Sequence, residues 1–228
     1  MSRNRAITID LDDTLWDCHP VIREAESKLW EWFETNYPKI SDNYTQEMVA
    51  DLRKKVVKDY PKKSHDYKFL RRSVLRTIFL TSGYDQKFAE DAFDFFDMHR
   101  NNVTLFEGAI ETLEMLSTNF RVIALTNGNA DLVKIGIKHL FFDVIYAADF
   151  GYAKPDIKIF NEAIRRSGVN KKDIYHVGDH PVNDIVGAQK AGLRTIWMNP
   201  TGISWPENSK EPDYTIEKIT SLQDILIG

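Results

Sequence analysis

The sequence predicts an α/β fold: a Rossmann-like, doubly wound parallel sheet with an inserted helical cap. Three observations predict it: short β-rich runs that are almost continuously apolar, helix-period segments separating the later runs, and a long strand-free interruption after the first run. Continuous apolar character, rather than alternation, is what a strand needs when both faces of its sheet are covered. Strand and helix in alternation give parallel pairing through right-handed crossovers.

The expected strands are residues 6–11, 121–126, 143–148, 174–177 and 194–198. Between them, residues 107–117 repeat Ile110, Leu113 and Leu116 at helical spacing, and residues 130–140 carry Leu132, Val133, Ile137 and Leu140. Residues 157–167 present Ile159, Phe160, Ala163 and Ile164, and Gly168 follows where a helix-terminating glycine belongs. Residues 183–191 repeat the theme up to Gly192, and a loop holding Pro206 and Pro212 leads to a last short strand and helix. The interruption shows four helical stripes. Leu29, Trp32 and Phe33 form the first; Met48, Val49, Leu52, Val56 and Val57 the second. Phe69, Leu70, Val74, Leu75, Ile78 and Phe79 form the third; Phe88, Ala92, Phe93, Phe95 and Phe96 the fourth. Aromatics at that spacing read as packed core. The expected division is a sheet domain from residues 1–16 and 104–228, with a helical domain at 17–103.

Composition narrows the function. The 228 residues are 43% hydrophobic, ordinary for a chain with a sizeable core, and the formal net charge is -4. That balance gives no broad attraction to nucleic acid or to an anionic membrane. No segment approaches the roughly 18 apolar residues of a membrane span, and the first residues lack a signal-peptide pattern. A lone cysteine, Cys18, provides no disulfide framework, so a reducing, cytoplasmic setting is the expectation.

The chemistry collects at strand ends. The first strand runs into Asp10-Leu11-Asp12-Asp13-Thr14, the second into Thr126-Asn127-Gly128, and the fourth into Gly178-Asp179 with Asp184 five residues on. Lys154-Pro155 precedes the helix that follows the third strand. Ligands of open α/β sheets bind at the carboxyl ends of the strands. Converging carboxylates repel one another unless a cation sits among them, and oxygen-only ligands favour a hard ion such as Mg²⁺. One of Asp10 and Asp12 could attack phosphorus, and the other could serve as acid and then base. Thr126 and the amides of Asn127 and Gly128 could hold phosphoryl oxygens, with Lys154 neutralising charge. Asp13 and Thr14 also read as turn residues, and His176, inside a strand, as a packed and hydrogen-bonded side chain.

These four motifs, in this order, resemble the haloacid dehalogenase superfamily of phosphohydrolases. The resemblance implies Asp10 as nucleophile and Asp12 as acid/base. It also implies a Mg²⁺ held by Asp10, the Asp12 carbonyl and Asp179, with support from Asp184, and a helical cap of the C1 class. The expected activity is hydrolysis of small phosphorylated metabolites through an aspartyl phosphate. A mutase, a 2-haloacid dehalogenase and a non-catalytic binding protein of the same fold are the alternatives; retention of Asp10 and Asp12 argues against the last. In the insert, His65-Asp66 followed by Leu70-Arg71-Arg72 resembles a cytoplasmic subgroup acting on flavin mononucleotide, phosphoribitylamino-uracil and nucleotide monophosphates. Trp16, Arg71 and Arg72 are therefore candidate specificity residues, Trp16 by stacking on a planar group or by pinning the cap hinge, the arginines by meeting a second anionic group or by covering the cap surface.

Overall fold

The computed structural model describes residues 4–227 and divides into two compact units, Met1–Asp17 with Thr104–Gly228, and Cys18–Val103. The first unit holds a sheet of β1 (Ala6–Ile9), β2 (Arg121–Thr126), β3 (Asp143–Tyr146), β4 (Ile174–Gly178), β5 (Arg194–Met198) and β6 (Tyr214–Ile216). Its order is β3-β2-β1-β4-β5-β6, and every pairing is parallel. All of β1 and β4 is buried. Successive side chains point to opposite faces, so complete burial means that both faces are covered. The chain order reverses between β1 and β4, which opens a crevice at the carboxyl ends of those two strands.

The second unit is built from α1 (Cys18–Asn36), α2 (Pro38–Asn43), α3 (Gln46–Asp59), α4 (Tyr67–Thr81) and α5 (Phe88–Arg100). Its core gathers Leu29 and Phe33 with Val74, Ile78, Phe79, Phe93 and Phe96. Thr45 caps α3 by accepting from Met48 N, and Asp66 caps α4 by accepting from Phe69 N. The short α2 carries no stripe and buries only Ile40, so periodicity gives no sign of it. The second expected stripe is half right: Val56 is buried, while Met48 and Val57 are exposed.

Returning to the sheet unit, α6 (Ala109–Asn119), α7 (Leu132–Ile135), α8 (Ala147–Phe150), α9 (Ile157–Ser167), α10 (Gly187–Ala191) and α11 (Leu222–Leu226) follow in order. The α9 helix has the expected bounds, with Asp156 accepting from Lys158 N at its start and Gly168 left-handed at its end. Two expected helices are shorter than their apolar patterns suggest. Gly136, at φ 88, stops the expected 130–140 helix after one turn, and residues Lys138–Leu140 resume as a 3-10 turn. The expected 183–191 helix is a π-helical turn, Pro181–Val186, leading into the short α10. The expected first strand stops at Ile9 rather than residue 11, and the third gives way to α8 after Tyr146.

Candidate active site

The sheet brings Asp10 to the crevice. Its N–H donates to Val177 O at 2.9 Å, one step beyond the last paired residue of β1. The chain then turns tightly, with Asp13 in the left-handed region at φ 59 and Asp13 N–H donating to Trp16 O at 2.8 Å. An aspartate tolerates that backbone better than most side chains. The turn carries Trp16 back to Asp12, whose Oδ1 accepts from the indole Nε1–H at 3.0 Å. Trp16 is fully buried, which bears against the first of its two expected roles, stacking on a planar group, and leaves the second, pinning the cap hinge, open. It orients Asp12. The other Asp12 oxygen packs over Gly128, where any Cβ would overlap it. Gly128 is thus needed for a close approach.

Lys154 is the counter-charge. Its Nζ lies 2.8 Å from Asp10 Oδ1 and 2.5 Å from Asp184 Oδ1, and the residue is only 4% exposed. Burial would pull the ammonium pKa down, but the two carboxylates outweigh it and raise it above its ordinary value. The Lys154 backbone is fixed from both sides, because Asn127 Nδ2 donates to its carbonyl at 2.9 Å and Asn127 Oδ1 accepts from its N–H at 2.8 Å. The Asn127 side chain is committed to this brace, whereas the phosphate contact expected of Asn127 is through its backbone amide. Gly128 N–H is likewise committed, donating to Thr126 Oγ1 at 2.8 Å. The Thr126 hydroxyl keeps its own proton to donate.

Carboxylate oxygens of Asp10, Asp179 and Asp184 lie within 4.8 Å of one another. Burial pushes Asp10 well above the ordinary carboxylate range, Lys154 opposes that, and the Asp184 and Asp179 charges add to it. Burial first, then the Asp184 and Asp13 charges, raise Asp179 to about 7. Asp184 behaves oppositely: burial is outweighed by Lys154 and His176, and its carboxyl sits well below its usual value. An all-oxygen set in which two carboxyls are held back from ionising fits a hard divalent cation. The Asp12 carboxylate, turned to Trp16 and Gly128, is outside this cluster.

Four supporting residues escaped the sequence reasoning as site residues. His176 Nε2 is 3.0 Å from Asp184 Oδ1, and its Nδ1 is 2.8 Å from Thr8 Oγ1. Burial lowers the His176 pKa, so the ring is neutral. A neutral ring facing a carboxylate must carry its proton on Nε2, which makes Nδ1 the acceptor of the Thr8 hydroxyl. Thr8 and His176 are register partners on adjacent strands, which is why both can be polar deep in the sheet. Thr14 Oγ1 donates to Asp179 Oδ1 at 3.3 Å, and Trp197 Nε1 donates to Asp179 O at 2.6 Å. The Thr8–His176 and Trp197–Asp179 contacts follow from strand register, whereas Thr14 lies in the turn after β1 and Asp184 in the π-helical turn after β4.

Arg71 and Arg72 lie in the helical unit with partners of their own. Arg71 Nη2 donates to Glu26 at 3.3 Å and its guanidinium stacks on Phe96 at 3.4 Å. Burial, then the Arg53 charge, lowers it to about 10, so it remains a cation at neutral pH. Arg72 Nε donates to Glu90 at 2.7 Å and stacks on Phe93 at 3.6 Å.

The family model of haloacid dehalogenase-like hydrolases matches residues 4–192. The chain belongs to that family. Among its relatives is the Escherichia coli 5-amino-6-(5-phospho-D-ribitylamino)uracil phosphatase YigB, 27% identical and covering 99% of this chain and 98% of the relative. The human N-acylneuraminate-9-phosphatase is 29% identical, with 99% and 95% covered. A crystal structure named 2-haloacid dehalogenase, from Pseudomonas syringae pv. Tomato DC3000, superposes with TM-score 0.92 at 38% identity, with 97% of each chain covered. This dehalogenase-like hydrolase therefore has relatives named for two kinds of leaving group.

Two outcomes follow from the buried network. Lys154→Met strands the Asp10 and Asp184 carboxylates and should cost about 3–5 kcal/mol, read from the urea midpoint; a loss below about 1 kcal/mol would show that the ion pairs do not hold the site. His176→Leu removes one donor to Asp184 and should cost about 1–3 kcal/mol, and His176→Gln, which restores a donor near Nε2, should recover most of it in thermal melts.

Proposed function

We propose that this chain hydrolyses small phosphomonoesters through a phosphorylated Asp10. The observation that carries the reading is the placement of a second carboxylate, Asp12, two residues from Asp10, with one oxygen held by Trp16 and the other over Gly128. Lys154 fixes one oxygen of Asp10 and balances its charge before substrate arrives. Attack by Asp10 on phosphorus forms the acyl phosphate and breaks the bond to the leaving oxygen, which takes its proton from Asp12. Asp12, now a carboxylate, accepts a proton from a water as that water attacks phosphorus. Phosphate leaves and Asp10 is regenerated. The Thr126 hydroxyl donates to a phosphoryl oxygen throughout.

Asp10, Asp179 and the Asp12 carbonyl would hold Mg²⁺, with Asp184 supporting them. Such an ion supplies the positive charge that keeps Asp10 ionised and offsets charge on the phosphoryl group. The helical unit, Cys18–Val103, acts as the cap that selects the leaving group. Flavin mononucleotide, a phosphoribityl compound and a nucleotide are the candidate substrates, and the phosphatase names of the two relatives support this class. The 38% identity to a named 2-haloacid dehalogenase supports a second reading, in which Asp10 displaces halide from carbon.

The experiment is product release from flavin mononucleotide, sugar phosphates, nucleotides, an aryl phosphate and 2-chloropropionate, each with Mg²⁺ and with EDTA. Phosphate release that EDTA abolishes and Mg²⁺ restores supports the proposal; chloride release with every phosphate ester untouched establishes the second reading instead. Asp10→Asn should reduce turnover to background while the variant stays folded by circular dichroism, with a lowered melting temperature because Lys154 loses one of its two carboxylate partners. Asp12→Asn should lower kcat by about 10²–10⁴-fold, the usual worth of general acid–base catalysis; full activity in Asp10→Asn would end the aspartyl-phosphate mechanism, and full activity in Asp12→Asn would end the acid–base role of Asp12.

A further inference from the structure

The helical unit contains a cleft of about 190 Å³ among α1, α3 and α4. Its walls are mixed: Leu29, Phe33, Val49, Val74 and Ile78 supply an apolar side, and Glu26, Gln46, Arg53 and Arg71 supply a polar one. Concave, largely apolar space with a few fixed polar groups is the ordinary character of a ligand site. A dry cavity of about 150 Å³ accepts benzene, so this cleft has room for a ring or branched chain with one small polar group.

The charged groups select the ligand. Glu26 Oε1 is 2.6 Å from Arg53 Nη1 and 3.3 Å from Arg71 Nη2. Two guanidinium groups against one carboxylate leave a single positive charge. Arg71 is fixed by Phe96 beneath it, whereas Arg53, whose Nη1 meets Glu26, is 38% exposed. A guanidinium has five donors and matches a carboxylate in a fork, so Arg53 has capacity for a second anion. A dianion would exceed the available charge, and a cation would meet the wrong sign.

We propose that this cleft binds a small monocarboxylate with a compact apolar body, its carboxylate on Arg53 and its body against Leu29, Val49 and Ile78. The site is lined wholly by residues of the helical unit, and its test does not depend on the phosphatase reading, because its readout is binding and not turnover.

The test is NMR titration of the intact protein with benzoate and with 4-methylpentanoate, following the Trp30 indole and the Val49 and Val74 methyl groups. Benzyl alcohol and benzamidine serve as neutral and cationic controls. Saturable shifts at these groups with the carboxylates, and not with the controls, are expected. Arg53→Gln should weaken binding by about tenfold or more, as loss of a charge-assisted hydrogen bond implies. Glu26→Gln, which releases Arg53 from its internal partner, should tighten it. Equal shifts with benzyl alcohol, shifts confined to residues around Asp10, or no saturable shift at millimolar ligand would each overturn the proposal. Should one variant fail to fold, the other still tests the sign of the charge effect.

Discussion

A single buried ammonium governs the sheet unit. Lys154 lies between Asp10 and Asp184, and none of the three charges is tolerable at that depth without the others. Asp10 comes from the end of β1, Lys154 from the loop before α9, and Asp184 from the π-helical turn after β4. The ion pairs therefore lock together segments far apart in sequence. Asn127 adds the end of β2 by pairing with both backbone groups of Lys154. The result is an arrangement of charges fixed in advance, which is the form in which electrostatic groups assist a reaction most.

That lock leaves a deliberate imbalance. Three carboxylates within 4.8 Å face one ammonium, and Asp184 has in addition a donor in His176 and the His180 N–H at 3.0 Å. Burial first, with the neighbouring carboxylates adding to it, raises Asp10 and Asp179, while Lys154 and His176 outweigh burial at Asp184 and lower it. The division of labour is physical: Asp184 is a permanent anion that positions Lys154, and the other two gain from a cation or from a proton.

The sequence makes the strand ends legible because continuous apolar runs stop at conspicuous polar residues, and a parallel sheet delivers those stops to one edge. The α9 helix is legible to its ends for a similar reason, with Asp156 and Gly168 as start and stop signals. The expected 130–140 helix fails where one signal was outweighed, since Gly136 sits inside an apolar pattern that suggested continuity. Contacts that depend on register were hidden. Nothing in the spacing of Thr8 and His176 says that they face each other, and nothing near Asn127 says that its amide will meet the Lys154 backbone. Trp16 was singled out for its proximity to the motif, but its role depends on a turn at Asp13 that folds the indole onto Asp12. Arg71 and Arg72 were visible as cations, whereas Glu26 and Glu90, their partners, lie on other helices.

Close likeness to a structure named as a dehalogenase does not decide the reaction, because one fold hosts several chemistries and the site residues choose among them. The two candidate reactions begin alike, with a carboxylate attacking the atom that bears the leaving group. They diverge at the leaving group. A halide departs as a stable anion and needs no proton, whereas the alkoxide of a phosphomonoester is a strong base and departs readily only when protonated. A carboxyl group beside the nucleophile has no leaving group to protonate in the first reaction, where it could serve only as base for the water, and has both tasks in the second. Asp12 has its orientation set by an indole N–H and its space kept open by the missing side chain of Gly128. A side chain held at that expense of local freedom argues for a proton that must be delivered, and hence for an oxygen leaving group.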